Sequence, residues 1–175
     1  MKKILFIAIA LMAIQTSFAQ TFSKGDTFVE GTVKFVSSDD TKTFNFNPTV
    51  GQFVTDKFAL GVSLNSQSTK TAGVTTDSFG FGAFARCYFL RIGERLNVHS
   101  QLGLNSDKAG DTKTLSANLG LGANYFVTKN LSLTLSVADL ASYKSVKDGD
   151  NTTTIGFDGV KNPFTTPSFG VNYRF

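Results

Sequence analysis

The feature that most constrains this chain is an alternation of apolar residues with small or polar ones, which recurs along most of its length. In the segment 115–125 every odd-numbered residue is Leu, Ala or Tyr, and every even-numbered one is Ser, Asn or Gly. Segments 131–137 and 168–175 show the same alternation of apolar residues with small or polar ones. Successive side chains of a β-strand point to opposite faces, so each segment predicts a strand with one apolar and one polar face.

The same alternation predicts about eight strands joined by connections of two kinds. Short turns are expected at 53–58, 89–96 and 126–131, and longer polar segments at 37–42, 66–77, 105–113 and 143–163. Short turns at one end and long loops at the other are typical of transmembrane β-barrels, whose smallest members have eight strands. Ten strands would require further strands after Ala141, where the run 148–151 and Pro163 favour a loop.

A soluble β-sandwich also alternates and is the main alternative architecture. In a sandwich the polar face meets water and normally carries many charges. Here the polar face is mostly Gly, Ser, Asn and Thr, and nearly all Lys, Asp and Glu fall in the connections. We therefore predict an all-β protein, a single antiparallel up-and-down transmembrane β-barrel with short periplasmic turns and long extracellular loops.

The first residues have the order of a secretory signal peptide. Lys2 and Lys3 precede an apolar stretch, 4–14, and the small residues Ser17 and Ala19 flank Phe18. The apolar stretch is shorter than the roughly 20 residues that a membrane-spanning helix needs. We expect residues 1–19 to be a signal peptide cleaved between Ala19 and Gln20, and residues 20–175 to form the barrel domain.

Composition excludes several classes of function. The chain has 17 Lys and Arg against 13 Asp and Glu, without a basic cluster, so we expect no nucleic-acid partner. One cysteine and one histidine exclude a disulfide scaffold and a multi-Cys or multi-His metal centre. We expect no cofactor, no metal site and no catalytic residues.

The closing segment carries a resemblance to a known family. Its apolar face, which ends on the last residue, resembles the signal read by the barrel-assembly machinery; the residues are Phe169, Val171, Tyr173 and Phe175. Together with the segment 120–131 (GLGANYFVTKNL), the chain is similar to small outer-membrane β-barrels of the porin-like family, among them the transmembrane domain of outer-membrane protein A. The sequences of the turns resemble those of family members from Bacteroidota.

The resemblance covers the whole chain after the signal peptide. It implies a location in the outer membrane of a Gram-negative bacterium and contacts with outer-membrane lipid and the barrel-assembly machinery. It also implies a structural or surface-interaction role, in which the loops would meet an extracellular ligand that the sequence does not identify.

The polar face of the strands supplies the residues expected in the lumen. The charged ones are Glu30, Lys34, Arg86 and Arg174, and the neutral ones are Asn97, His99, Gln101, Asn118, Asn124 and Asn172. An unpaired buried charge is costly, so we expect Glu30 to pair with Arg86 or Arg174 as an interior plug. The alternative is that these side chains only solvate a wet lumen, which would make the protein a narrow channel for ions or small solutes, or a lateral route for apolar ones.

A lipid-modifying enzyme is the remaining alternative. His99 is followed by Ser100, but neighbours on a strand point to opposite faces and cannot act together as base and nucleophile. Only a more distant nucleophile beside His99, such as Ser132 or Ser136, would support this reading.

Overall fold

The computed structural model describes residues 22–37, 40–146, 152–155 and 168–175. In this part of the chain the elements are all strands: β1 (Thr27–Ser37), β2 (Thr41–Phe53), β3 (Phe58–Thr71), β4 (Val74–Ile92), β5 (Leu96–Ala109), β6 (Thr112–Phe126), β7 (Leu131–Val146), β8 (Thr152–Ile155) and β9 (Ser168–Arg174). No helix among these residues is long and apolar enough to cross a membrane. The expected signal peptide and its cleavage site, Ala19 and Gln20, lie outside the described residues.

The strands close on themselves as an antiparallel barrel. Each strand from β2 to β7 pairs with its predecessor, and β9 pairs with β7 on one side and β1 on the other. β8 pairs with residues 141–144 of β7 and β9 with residues 131–136, so the two short strands follow one another along a single edge. The strands therefore occupy eight positions, which confirms an eight-stranded up-and-down barrel over the ten-stranded alternative.

One end of the barrel, called here the terminal end, holds the start of β1, the end of β9 and the turns 54–57, 93–95 and 127–130. Two of these turns, which share the sequence Phe-Val-Thr, share a conformation too. The backbone N–H of Phe58 donates to Thr55 Oγ1, and that of Leu131 donates to Thr128 Oγ1, each at 3.0 Å. The threonine side chain thus stabilises the turn locally, as short polar side chains commonly do.

The opposite end, called the far end, differs from the expectation of long loops. β3 continues to Thr71 and β4 begins at Val74, so that only Ala72 and Gly73 connect them. Gly110 and Asp111 connect β5 and β6 in the same way. The segments 66–77 and 105–113 therefore extend paired hairpins instead of forming irregular loops. Polar side chains on both faces remove the hydrophobic alternation in these segments, yet the backbone ladder continues because it does not depend on that alternation.

The two faces of the strands differ as the alternation predicts. Large apolar side chains cover the outside of the barrel, where Val62 and Phe81 are 62% and 65% exposed. β4 has 19 residues, well beyond the roughly 9–11 that a strand needs to cross a bilayer. The buried apolar cluster lies inside the barrel towards the terminal end; its members are Phe22, Phe28, Phe53, Ala59, Phe84, Tyr88 and Phe126.

Candidate functional site: a lumen closed at its terminal end

Inward-facing glycines make room for large side chains inside the barrel. Gly61 lies directly opposite Phe84 in the β3–β4 register, and a Cβ on this glycine would collide with the Phe84 ring. Gly51 and Phe28 form the same kind of pair between β1 and β2. An eight-stranded barrel has an interior just wide enough for side chains to fill, so each ring occupies the space that its glycine partner leaves.

Five aromatic side chains form a layer across the terminal end of the lumen, called here the aromatic layer. Phe22, which precedes β1, stacks on Phe53 with ring centroids 4.3 Å apart and lies 4.4 Å from Tyr88 and 5.6 Å from Phe126. Phe28 continues the layer 5.7 Å from Phe53. Such spacings are those of favourable aromatic pairs, and they leave the terminal end filled with apolar side chains.

The next layer is the ion pair between Glu30 and Arg86. Arg86 Nη2 donates to Glu30 Oε1 at 2.8 Å, and Arg86 Nη1 donates to Oε2 at 3.0 Å. The two side chains are 4% and 3% exposed. A bidentate pair of this kind joins opposite charges through two parallel hydrogen bonds, the strongest arrangement open to arginine.

Further polar groups complete the ion pair. Thr134 Oγ1 and Asn172 Nδ2 donate to Glu30 Oε2 at 2.9 and 3.1 Å. Arg86 Nε donates to Gln101 Oε1 at 2.8 Å, while its guanidinium lies 5.4 Å from the ring centroids of Phe28 and Phe84. Both charges are therefore partnered, as buried ions must be, and the network ties together β1, β4, β5, β7 and β9.

Arg174, the other expected partner of Glu30, lies elsewhere. Its Nη1 donates to Asp26 Oδ2 at 3.2 Å, and its Nη2 donates to the backbone oxygen of Lys129 at 2.8 Å. The guanidinium also lies 5.8 Å from the ring centroids of Phe22 and Phe126. Arg174 therefore belongs to the aromatic layer at the terminal end.

The neutral lumen residues lie at several heights inside the barrel. Asn124 Nδ2 donates to Thr134 Oγ1 at 2.7 Å and to Ser132 Oγ at 3.3 Å. Asn97 and His99 are buried, and within the described structure Asn97 Nδ2 and His99 Nδ1 have no hydrogen-bond partner. Asn172 lies beside Glu30, and Asn118 lies farther along, where it accepts a hydrogen bond from Asn105 at 3.1 Å.

Beyond the ion pair towards the far end the lumen is open and polar. A cavity of about 310 Å³ rests on Glu30 and Arg86 and rises between side chains that are mostly amides and hydroxyls, with Lys34 also in the lining. A second cavity of about 360 Å³ shares Asn65 and Asp107 with it and continues towards the hairpins. Within the described residues the lumen is thus a polar vestibule that lies above the ion pair and the aromatic layer.

The geometry around His99 bears on enzymatic chemistry. Ser132 is fully buried and accepts its hydrogen bond from Asn124. Ser136 and His99 both border the vestibule and both lie opposite Gly122 in register, but among the described residues no hydrogen bond joins them. A hydrogen bond between the two side chains is the usual sign of a nucleophile activated by its base.

The aromatic layer and Thr134 were not among the residues predicted from the sequence, whereas Gln101 and Asn172, which also support the ion pair, were expected in the lumen. Phe84 and Tyr88 share the phase of Arg86, and Phe28 shares that of Glu30, so the period of two already placed them in the lumen. The informative signal was an aromatic ring in phase with the polar face. Phe22 offers no such signal because it precedes the first strand.

Comparison with known proteins gives one family and several similar folds. The family model described as outer membrane protein beta-barrel domain matches residues 4–175. The N-terminal β-barrel domain of Pseudomonas aeruginosa OprF is similar, with a TM-score of 0.55, 17% identity and coverage of 87% of this chain and 98% of that one. No curated protein matches the chain.

Two further solved structures have the same fold. OprG from Pseudomonas aeruginosa has a TM-score of 0.52 at 12% identity, covering 90% of this chain and 99% of that one. Neisserial surface protein A has a TM-score of 0.52 at 17% identity, covering 86% and 96%. At these identities the likeness extends to the fold alone.

Proposed function

Because the chain belongs to the outer membrane protein beta-barrel domain family, we propose that it is an outer-membrane barrel with a closed lumen and a structural or surface-interaction role. The barrel itself would anchor the protein, with outer-membrane lipid around its apolar outside. The far-end hairpins would carry any contact with an extracellular ligand. No enzymatic step is part of this proposal.

The bidentate pair between Glu30 and Arg86 carries the proposal. An ion entering from the vestibule would meet two charges that already neutralise each other, with Thr134 and Asn172 on the carboxylate. Passage requires these contacts to separate, which would leave two unpaired charges in a confined space. Below them four phenylalanine rings and Tyr88 fill the aromatic layer, whose polar groups, the Tyr88 hydroxyl and the Arg174 guanidinium, already have protein partners. This favours a closed lumen over the narrow-channel alternative.

The remaining expectations concern how the protein reaches the membrane. We propose that residues 1–19 direct export as a signal peptide, which is cleaved between Ala19 and Gln20. The barrel-assembly machinery then recognises the last strand. The apolar residues of β9 and the residue that follows it are exposed on the outside, which supports recognition from outside the barrel; they are Phe169, Val171, Tyr173 and Phe175. The terminal end would then face the periplasm.

Planar-bilayer recording of the refolded chain from Gln20 onwards tests the closed lumen. We expect insertion, verified by protease protection, without steady single-channel currents in salt solution. A uniform current step with each insertion would contradict the proposal and favour the channel alternative. The matched sample is a refolded porin of known conductance, which verifies that the bilayer reports an open lumen.

Hairpin trimming separates a structural role from a surface one. Gln67 and Ser78 are register partners, as are Ser106 and Leu115, so each pair can be joined by a two-residue Asn-Gly turn without changing the barrel below. Cells lacking the protein are complemented with the trimmed or the full chain, and their detergent sensitivity is measured. Equal rescue indicates a structural role, whereas rescue by the full chain alone indicates a role for the hairpins.

A further inference from the structure

Four equivalent positions surround the lumen at the terminal end. Their residues, called here the end ring, are Phe53 of β2, Tyr88 of β4, Phe126 of β6 and Arg174 of β9. The backbone N–H of each donates to a carbonyl of the neighbouring segment, at Asp26, Lys57, Arg95 and Asn130 respectively, over 2.7–2.8 Å. The equivalence means that every second strand contributes one large side chain at the same kind of position.

Phe22 occupies the centre of the end ring. It contacts the three aromatic members at centroid distances of 4.3–5.6 Å, and the guanidinium of Arg174 lies 5.8 Å from its ring centroid. It is 8% exposed although it belongs to no strand. A single aromatic side chain thus completes a site that the strands form without it.

The segment that follows Phe22 is fastened to the barrel rim. Gly25 N–H donates to the backbone oxygen of Phe53 at 2.8 Å, and Lys24 N–H donates to Asp56 Oδ1 at 3.1 Å. Gly25 adopts φ +99°, a value that side-chain-bearing residues rarely adopt, and it turns the chain back into the mouth. The segment holds Phe22 over the lumen independently of the strand ladder.

We propose that the end ring is a binding site for a flat aromatic group and that Phe22 is its tethered occupant, sealing the terminal mouth. This inference rests on the closed lumen proposed above and adds a second seal, separate from Glu30 and Arg86. Aromatic chemistry is specified because three rings surround the site and a cation lies over the occupant's face. Arg174 is held in place by Asp26 at 3.2 Å and by the backbone oxygen of Lys129 at 2.8 Å.

Thiol labelling of a site behind the seal tests the inference. Ser132 is 0% exposed and pairs in register with Phe126 and Asn172, directly inside the end ring. The C87S/S132C variant is reconstituted in proteoliposomes, and its engineered thiol at position 132 is its only thiol. A charged methanethiosulfonate reagent should label this thiol slowly. Adding F22A should speed labelling about tenfold, the effect of a barrier lowered by roughly 1.4 kcal/mol. Unchanged protection would overturn the inference.

Matched variants test the aromatic requirement. F22W should keep the thiol protected, whereas F22L, which fills space without an aromatic face, should label faster than the parent. Toluene should restore protection to F22A, and methylcyclohexane, of similar size, should not. Equal protection by F22L, or equal rescue by both solvents, would overturn the assignment of an aromatic site. K24A, an exposed change in the same segment, should leave labelling unchanged.

The two proposals fail in different measurements. Circular dichroism and urea midpoints first establish that each variant is folded, and F22L serves where F22A is not. Steady currents from the parent chain would refute the closed lumen. The ratio of the labelling rates of F22A and the parent would still test whether Phe22 protects the thiol. A silent parent whose buried thiol stays protected in both F22A and F22L would refute the end-ring inference alone.

Discussion

Glu30 and Arg86 lie 56 residues apart in the chain and meet in the middle of the barrel. Each could be placed in the lumen from the alternation of its own strand. Their pairing could not, because Arg174 has the same charge and the same inward phase. The difference is height along the barrel: Arg174 lies at the end of β9, where Asp26 is within 3.2 Å, whereas Arg86 lies deep enough to reach Glu30.

Removing one member of this pair should destabilise the barrel strongly. Glu30→Ala leaves Arg86 buried without its partner, a change that typically costs about 3–5 kcal/mol. We expect the double variant with Arg86→Met to recover most of that loss, because no buried charge then remains. Urea unfolding in detergent micelles measures both effects.

Asp26→Ala is the matched control, since it breaks the other ion pair within the described residues. That pair is more exposed, with side chains 14% and 24% accessible, so its loss should cost no more than about 1 kcal/mol. Equal losses of unfolding free energy for Glu30→Ala and Asp26→Ala would show that the pair between Glu30 and Arg86 stabilises the barrel no more than the exposed pair does.

At the scale of the strands, glycines and large side chains are matched across neighbouring strands. His99 lies opposite Gly122 and Asn105 opposite Gly82, in the same manner as the aromatic pairs nearer the terminal end. The pairing explains why so many inward positions of a narrow barrel can carry large side chains. It also favours the observed register, because a slip by two residues, which keeps each side chain on its face, would set Phe84 opposite Ala59 or Ser63 in place of Gly61.

Gly61→Ala should destabilise the barrel, because the new Cβ meets the Phe84 ring and the backbone of the adjacent strand. We expect a loss of about 1–3 kcal/mol, the usual range for overpacking. In a chain that also carries Phe84→Ala, Gly61→Ala should lower the free energy of unfolding by less than it does in the parent chain. Chemical unfolding of the two single variants and the double variant measures this coupling.

Gly31→Ala provides the control within the same barrel. A Cβ at this glycine would lie 3.7 Å from the Phe46 ring, an ordinary contact. We expect a change within about 1 kcal/mol, since only the backbone preference differs. A large loss at Gly31 would indicate that any strand substitution is harmful, irrespective of space.

At the scale of the whole molecule, the outside of the barrel carries the assembly hypothesis. Phe175 is 71% exposed and contacts Tyr173 with ring centroids 5.0 Å apart, so it contributes little to the packed interior. Phe175→Ala should therefore leave the unfolding free energy of refolded protein within about 0.5 kcal/mol of the parent, as surface substitutions usually do. In cells the same variant should accumulate less folded protein in the outer membrane.

Phe35→Ala tests whether that loss is specific to the last strand. Phe35 is also outward-facing and 59% exposed, but it lies in β1. We expect its outer-membrane level to match that of the parent. Equal loss for both variants would indicate a general need for outward aromatic side chains, in place of a signal in the last strand.

The sequence by itself determined the strand type, the faces, the strand number and the presence of three short turns, because each depends on neighbours within a few residues. A period of two assigns every side chain of a strand to one face without knowledge of its partners. The far-end hairpins escaped this reasoning, since polar residues on both faces carry no alternation, as in the segment 66–77.

Only the tertiary structure decided which inward residues meet. Closure and strand tilt place residues from distant strands at one height, and this height selects Arg86 for Glu30 and collects the end ring around Phe22. The physical reason is that contacts across a lumen depend on the shear of the whole barrel, a property that no single strand contains.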